Sequence, residues 1–406
     1  MSLRSEIVEY IRSGETSGQA LGLEVEHFVV DEKGRQIGFD EVTSLIAQIA
    51  ETLEAKVIYM DGYPVGYAVP GYTVTLEPSC QFEISIDPHS DLKKIGDIYK
   101  EFLRLWIPVF EKRGYHMITK GNLPLVESGR IDPDEIPLSH KKRYKYMDAY
   151  FRKSGKYGKY MMRASASVQI SVDYSSENDL IRKLRVLEKI SPVLAIALEN
   201  KSFEDSVIEK GSNKKHLLRL QEWGDLDPAR TGFYPNSFDE DFGYGKIADV
   251  ILNTPLILLT DEGETTDVGS KTANDLIKDG TIEDELVSPR KEHLIEHFIS
   301  MGFFHFRIKK YIEIRVADSV PLSRALSYLA LIKGLIYSED SLSVLETALE
   351  DITSAEQIQE ALDEIIVSGF DARIYGDKTA REWYKYLVDI ADKTLSVTDK
   401  EYLRNV

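Results

Sequence analysis

The sequence predicts an α+β fold, in which helices cover the apolar face of a curved, mostly antiparallel β-sheet. Four segments alternate apolar and polar residues with a period of two, which is typical of strands that bury one face. Longer segments repeat apolar residues every three or four positions, which is typical of amphipathic helices. The polar positions of the four strands carry carboxylate, amide and guanidinium groups. The polar face of the sheet is therefore the candidate active-site face.

The four strands are predicted at residues 21–30, 73–87, 162–173 and 311–318. The second is the clearest, because Phe82, Ile84 and Ile86 alternate with polar residues that include Glu83 and Ser85. In the fourth, Ile312, Ile314 and Val316 oppose Glu313, Arg315 and Ala317. All four strands place aliphatic side chains on one side, so they can share one sheet.

The same two repeats of apolar residues, every second position for strands and every three or four positions for helices, predict the remaining elements. Helices are predicted at 4–12, 39–53, 91–113 and 177–198, and short strands at 56–60 and 115–119. The segment 61–71 is rich in Gly, Tyr and Pro and is interpreted as a hairpin loop. Segment 122–140 is interpreted as an ordered loop, and the residues after 340 as successive helices.

Composition excludes several classes of protein. The 406 residues carry a formal charge of −18, and no dense basic patch suited to nucleic acid is present. No apolar run reaches the roughly 18 residues of a membrane span, and the first segment lacks the apolar core of a signal peptide. A cytoplasmic protein is expected. Cys80 is the only cysteine, which excludes an intramolecular disulfide.

The acids of the polar face form a candidate metal site. If the strands are neighbours, their polar side chains converge as one set, namely Glu24, Glu26, Glu77, Glu83, Gln169 and Glu313. Crowded carboxylates raise one another's pKa unless cations neutralise them, and oxygen ligands of this kind suit Mg²⁺ or Mn²⁺. Arg315 shares a strand face with Glu313 and could neutralise a transferring phosphoryl group.

Two other patterns are weaker. His293 and His297 match the H-x-x-E-H zinc pattern, a short motif prone to false positives, so a zinc hydrolase is a distant alternative. No P-loop and no G-x-G-x-x-G motif is present, so a nucleotide would have to be held by metal ions and basic side chains. The available cations are Arg163, Arg230, Lys309, Lys310 and Arg315, and a structural salt bridge is the alternative for each.

Four segments in order carry a resemblance to a known family: LEPSCQFEIS, RYKYMDAYFRKSGKYGKYMMRASASVQISVDYSSENDLIRKLR, DPARTGFYPNSFDEDFGYGKIADVILNTPLILL and FRIKKYIEIRVADSVP. Together they resemble the plant and proteobacterial glutamate–cysteine ligases, members of the glutamine synthetase-like carboxylate–amine ligases. The resemblance implies a catalytic domain at residues 1–340 and a helical C-terminal extension at 341–406 packed on it. The chain departs from the family at Ser79 and Cys80, where two glycines are usual, and at residues 163–166.

The resemblance implies ATP- and Mg²⁺-dependent ligation of the γ-carboxylate of L-glutamate to the amine of L-cysteine. Glu313 and Arg315 would be catalytic, while Arg230, Arg163 and Gln169 would bind substrate, with Arg230 at the glutamate α-carboxylate. Lys309, Lys310 and Arg315 would bind ATP. The six residues of the candidate metal site would hold Mg²⁺ or Mn²⁺. The alternatives are the same chemistry with another amine, or a non-catalytic metal- and nucleotide-binding relative. The partners would be small molecules only, and the protein a monomer or homodimer.

Overall fold

A nine-stranded sheet forms the centre of the computed structural model, which describes residues 2–403. Eight strands follow the order β12-β13-β7-β1-β5-β4-β3-β2, and β6 pairs with the end of β1. Every strand pair in this sheet is antiparallel. The predicted α+β class and its antiparallel sheet are therefore confirmed.

The strands are β1 (Leu21–Asp31), β2 (Lys56–Met60), β3 (Tyr63–Val69), β4 (Tyr72–Leu76), β5 (Phe82–His89), β6 (Tyr115–Ile118), β7 (Ser167–Val172), β8 (Thr231–Gly232), β9 (Leu258–Asp261), β10 (Glu264–Asp267), β11 (Phe303–Phe304), β12 (Phe306–Ile308) and β13 (Ile312–Asp318). Strands β9 and β10 form a separate hairpin, and β8 pairs in parallel with β11.

The helices are α1 (Leu3–Arg12), α2 (Phe39–Thr52), α3 (Leu92–Glu111), α4 (Pro124–Glu127), α5 (Lys142–Ser154), α6 (Gly158–Ala164), α7 (Glu177–Ala197), α8 (Leu218–Gly224), α9 (Tyr244–Asn253), α10 (Ala273–Lys278), α11 (Arg290–Ser300), α12 (Leu322–Ile336), α13 (Glu339–Ala348), α14 (Ala355–Ser368), α15 (Ala380–Thr394) and α16 (Val397–Leu403). Short 3₁₀ helices lie at Pro133–Glu135 and Gly369–Asp371.

The apolar face of the sheet packs on helices, as predicted. Helix α3 illustrates how: the side chain of Asp91 caps it by accepting from the Lys93 backbone N–H (2.9 Å), and its apolar stripe then faces the sheet. Trp106 in that stripe contacts Phe82 of β5, with ring centroids 4.5 Å apart. Burial of each large apolar side chain contributes about 1.5–3 kcal/mol. This packing leaves the opposite, polar face free to line a cavity.

Three predicted boundaries are wrong. The strand predicted at 73–87 is two strands, β4 and β5, with a turn at 77–81 between them. Segment 61–71 is mostly strand β3, because Gly66 allows β4 to approach closely: a Cβ there would lie 2.2 Å from the Val74 carbonyl oxygen. The strand predicted at 162–173 begins only at Ser167. Its first residues belong to helix α6, so Arg163 lies on a helix. Composition alone did not distinguish these elements from their alternatives.

A β-bulge interrupts β13 beside the polar face. Its register against β7 shifts between Ile314 and Ala317, so Arg315 and Val316 lie where the ladder is irregular. The alternation predicted for this strand ends there, and Ala317 is fully buried instead of facing the polar side. Bulges of this kind re-aim side chains and are frequent next to active sites.

The helices after residue 338 pack on the rest of the chain. Helices α14 and α15 contact α7, and α15 and α16 contact α12. Their apolar side chains, such as Ile365 and Leu387, belong to the same hydrophobic cluster as the sheet. The division into residues 1–340 and 341–406 stays a prediction.

Within residues 2–403, no helix has the length and apolar character to cross a membrane.

Candidate active site

A cavity of about 260 Å³ lies over the polar face of the sheet. Helices α5, α6 and α8 close it from above, and the sheet forms its floor. The predicted site residues that line it are Glu24, Glu26, Glu77, Glu83, Gln169 and Arg315. The structure therefore brings together most of the residues predicted from strand alternation.

Strand register places these side chains side by side. Glu26 of β1 is the direct partner of Glu83 in β5, and Glu24 is the direct partner of Gln169 in β7. Glu77 joins them from the turn between β4 and β5, where its carbonyl oxygen accepts from the Cys80 N–H (3.0 Å). Directly opposed side chains lie within contact distance across an antiparallel pair.

One end of the cavity is acidic. Burial, reinforced by Glu77, raises the pKa of Glu26 to about 7, although hydrogen bonds from Ser167 oppose the shift. Burial and the neighbouring Glu77, Glu24 and Glu26 raise the pKa of Glu83 well above its ordinary value. Glu83 accepts one strong hydrogen bond, from Thr75 Oγ1 (2.7 Å). These acids repel one another, so a bound cation would stabilise this end.

The other end is cationic: Arg307 and Arg315 line it, and Glu313 and Lys309 lie behind them, outside the lining. The Glu313 carboxylate is fully buried and accepts from Arg307 Nε (2.7 Å), Lys309 Nζ (2.6 Å) and Arg315 Nη1 (3.0 Å). Burial alone would raise the pKa of Glu313, but Arg307, Lys309 and Arg315 hold it well below the ordinary value. Glu24 also interacts electrostatically with these three cations, so three cations face two carboxylates and this end keeps an excess of positive charge.

Side chains of β13 and β7 connect the two ends. Arg315 Nη1 donates to Gln169 Oε1 as well as to Glu313, and its guanidinium lies 5.9 Å from the ring centre of Trp223. Gln169 Nε2 in turn donates to Glu26 Oε1 (3.1 Å). A continuous hydrogen-bonded path therefore runs from the cationic end to the acidic end.

The acidic end has suitable donors for a hard cation but no preassembled coordination shell. Among residues 2–403, no three His, Cys, Asp or Glu side chains converge as a metal site. The oxygens of Glu26, Glu77 and Glu83 have the chemistry that Mg²⁺ or Mn²⁺ prefers. Glu313 does not fit the predicted role of metal ligand, because three cations occupy its oxygens.

Three cavity cations were missed from the sequence: Arg143 of α5, Arg219 of α8 and Arg307 of β12. Arg219 Nη2 donates to the carbonyl oxygens of Arg315 and Ala317, which ties α8 to the bulge of β13. Two of the three lie on helices, where no period-of-two pattern marks them. Arg143 was nevertheless within the basic, aromatic segment that carries the family resemblance.

Three predicted cations lie elsewhere. Arg163 pairs with Asp148 and donates to the Ile136 carbonyl oxygen (3.1 Å). Arg230 is fully buried and pairs with Asp227 (2.8 Å). Lys310 lies over the ring of Tyr10, and none of the three lines the cavity. These contacts lie within the protein, and the substrate-binding and ATP-binding roles predicted for the three residues stay predictions.

The zinc alternative receives no geometric support. His297 is buried and its Nε2 lies 3.0 Å from the Leu258 carbonyl oxygen. Burial lowers the pKa of His297 to about 4. His293 and His297 belong to no metal-holding group within the described residues.

The fold of this chain has been seen in a solved structure. It is similar to the structure of glutamate–cysteine ligase from Francisella tularensis in complex with AMP, with a TM-score of 0.53 and 13% identity over 96% of this chain and 81% of that one. This likeness concerns the fold.

Sequence comparison gives the family. The chloroplastic glutamate–cysteine ligases of Brassica juncea and Arabidopsis thaliana are 29% and 28% identical over 87% of this chain, which covers 68% and 66% of their lengths. The model of glutamate–cysteine ligase family 2 (GCS2) matches residues 20–385. The chain belongs to this family and is a ligase, which confirms the resemblance found in the sequence.

Proposed function

We propose that this ligase joins the γ-carboxylate of L-glutamate to the amine of L-cysteine, with ATP as co-substrate and γ-glutamyl phosphate as intermediate. The observation that carries the proposal is the two-ended cavity of a GCS2 member, with Glu26, Glu77 and Glu83 at one end and Arg307 and Arg315 at the other. A polyphosphate can lie next to these carboxylates only if cations offset the repulsion between the negative charges.

The cationic end is where the γ-carboxylate of glutamate is activated in this proposal. A γ-carboxylate oxygen attacks the γ-phosphorus of ATP, the bond to the bridging oxygen breaks, and ADP leaves. Arg315 is the predicted ATP-binding cation that lines the cavity, so it balances the charge on the transferring phosphoryl group. Lys309 supports it indirectly through Glu313.

The second step needs little from the protein beyond orientation. The free amine attacks the carbonyl carbon of the acyl phosphate, the carbon–oxygen bond to phosphate breaks, and the amine loses a proton as the amide forms. No protein nucleophile takes part. The side chains of Met147, Met161 and Met162 supply the apolar part of the wall, a polarizable surface suited to a thiol.

The acidic end would hold the divalent cation. We assign Glu26, Glu77 and Glu83 to Mg²⁺ or Mn²⁺, with Glu24 beside them, because their burial and mutual repulsion call for a counter-charge. A divalent cation held by these carboxylates would supply positive charge against the phosphates. Gln169 orients Glu26 toward this end through its amide N–H.

Product mass tests the proposal. The full chain is incubated with ATP, MgCl₂ and L-glutamate, with L-cysteine, L-2-aminobutyrate, glycine or no added amine. We expect γ-glutamylcysteine as the main product. A product with another amine only would replace cysteine in the proposal, a substitution that the apolar methionine wall also permits. No product with any amine, from a folded protein, would favour the non-catalytic relative.

A cytoplasmic location and a monomeric or homodimeric state stay predictions.

A further inference from the structure

A second cavity lies behind the catalytic one, on the opposite side of helix α8. Arg219 and Trp223 of α8 line the catalytic cavity, while Leu220, Gln221 and Gly224 line the second. Its volume is about 530 Å³, twice that of the catalytic cavity. Helix α14 of the C-terminal segment closes its far side. Pockets of this size commonly bury small organic ligands.

The second cavity carries charges of both signs. Two lysines, Lys156 and Lys214, face three carboxylates, Glu209, Asp225 and Asp363. Lys156 and Glu209 pair with each other, Asp225 Oδ2 accepts from the backbone N–H groups of Lys156 and Tyr157, and Asp363 Oδ1 accepts from Gln359 Nε2 (3.0 Å). Lys214 and the second carboxylate oxygens of Asp225 and Asp363 are then the charged groups that face a ligand. An excess of carboxylates disfavours polyanions such as nucleotides, whereas separated charges of opposite sign suit a zwitterion.

His305 marks the cavity as a binding site for a polar molecule. Its side chain lines the cavity and is only 7% exposed, with its ring against Phe233 at 5.2 Å. The ring nitrogens of His305 are not among the fully buried side-chain atoms that lack a partner in residues 2–403, so they are open to the cavity. Burial lowers the pKa of His305 to about 4, so the ring is neutral at pH 7 and offers one donor and one acceptor to a ligand in the cavity.

We propose that the second cavity binds a zwitterion of dipeptide size. Its ammonium group lies at Asp225 and Asp363, its carboxylate at Lys214, and its amide at His305. Leu220, Leu362 and Ile366 provide the apolar wall for a side chain. A single amino acid would fill only part of the 530 Å³.

The backbone around His305 connects this site to the catalytic cavity. The His305 carbonyl oxygen accepts from the Arg315 N–H (3.0 Å), and the Arg315 carbonyl oxygen accepts from Arg219 Nη2. Both arginines line the catalytic cavity. A ligand on His305 and on the outer face of α8 therefore contacts the two elements that position these cations, and its binding is expected to change catalysis.

Calorimetry on the full chain tests the binding. The probe is glycyl-L-leucine, compared with L-leucine and with N-acetyl-glycyl-L-leucine amide, which has no terminal charges. We expect saturable 1:1 binding of the dipeptide, and at least tenfold weaker binding of the other two compounds. No saturable heat, or equal binding of the uncharged amide, would overturn the proposal.

Variants locate the bound dipeptide. Asp363→Lys changes an exposed residue and reverses a proposed contact, and Leu362→Trp fills the cavity. Both should weaken binding at least tenfold, while Val367→Trp, on the exposed face of the same helix, should leave it unchanged. Asp363→Lys decides the question if Leu362→Trp fails to fold. Parent-like affinity in Asp363→Lys would place the dipeptide elsewhere, the catalytic cavity included, and overturn the proposal.

The link to catalysis rests on the proposed function and is measured separately. The readout is the ratio of phosphate-release rates with and without saturating glycyl-L-leucine. We expect at least a twofold change in the parent and a ratio near one in Asp363→Lys. A ratio of one in the parent with dipeptide bound would overturn the link. A parent that releases no phosphate would contradict the proposed function, while the calorimetric result stands independently.

Discussion

Arg315 donates to the carboxylate of Glu313 over 3.0 Å, although both belong to the same strand, two positions apart. The bulge after Ile314 leaves Arg315 free to reach both Glu313 and Gln169. Glu313 thereby becomes the counter-ion of the cationic end. Within residues 2–403, the carboxylates at the acidic end form no such ion pair, and Arg219 and Lys141 act on them only through space. Acids on one sheet face thus have two different roles, and substitutions separate them.

Glu313→Gln should destabilise the protein. Removal of this charge leaves Arg307, Lys309 and Arg315 without their shared anion in a buried position. Breaking a buried ion pair from one side typically costs about 3–5 kcal/mol. Urea unfolding followed by circular dichroism, with a chelator present, measures the loss. A variant as stable as the parent would show that the three cations do not depend on Glu313.

Glu83→Gln should have the opposite effect on stability. Its carboxylate is raised in pKa by burial and by Glu77, Glu24 and Glu26, so neutralising it relieves repulsion. In chelator, we expect a midpoint of unfolding at or above that of the parent. Phosphate release should nevertheless fall on the order of 10²–10³-fold, because the divalent cation that offsets the phosphate charge loses one charged ligand. Full activity would contradict the assignment of Glu83 to the divalent cation.

Glu188 provides a pH dependence away from the catalytic cavity. Burial raises the pKa of this carboxyl in α7 to about 7, against an ordinary value of 4.5. The folded state holds the Glu188 proton more tightly than the unfolded state does. The contribution of Glu188 to the free energy of unfolding is therefore fully present below pH 4.5 and is lost as the pH rises to about 7. The shift corresponds to a loss on the order of 3 kcal/mol.

Glu188→Gln should remove this loss of stability at neutral pH. The variant should gain stability relative to the parent between pH 4 and pH 8, measured by urea unfolding across the range. Glu364→Gln, on an exposed residue in the interior of α14, is the matched control and should follow the parent profile. Parallel profiles for Glu188→Gln and the parent would mean that Glu188 is not the responsible group.

Cys80→Ser should leave phosphate release within roughly an order of magnitude of the parent, since a thiol is a weak ligand for a hard cation. Cys80 is buried at φ +64° in the turn after Glu77, and it does not line the cavity. Burial raises the pKa of its thiol to about 12, so no thiolate is present at pH 7. The native protein should accordingly resist iodoacetamide. Loss of phosphate release in a folded Cys80→Ser variant would contradict a non-catalytic Cys80. Rapid alkylation of the native protein would contradict its burial.

Strand alternation predicted the acidic floor of the cavity because a period of two fixes the face of each side chain, whatever the distance between strands in the chain. Glu26 and Glu83 are the best examples, since they are direct partners across β1 and β5. The partners of Arg163 and Arg230 could not be predicted in this way, because Asp148 and Asp227 lie on a helix and a turn. Arg219 was missed for the same reason: it reaches the cavity from a short helix with no distinctive pattern.

Transfer of ¹⁸O from glutamate to phosphate tests the central claim, activation of a carboxylate in this cavity, most directly. The full chain is incubated with ATP, MgCl₂, L-cysteine and L-glutamate labelled with ¹⁸O in the γ-carboxylate, and the released phosphate is analysed by mass spectrometry. We predict one ¹⁸O atom in each phosphate released, since the acyl phosphate returns a carboxylate oxygen when the amine attacks. Release of unlabelled phosphate would contradict the account, because ATP would then have been hydrolysed by water.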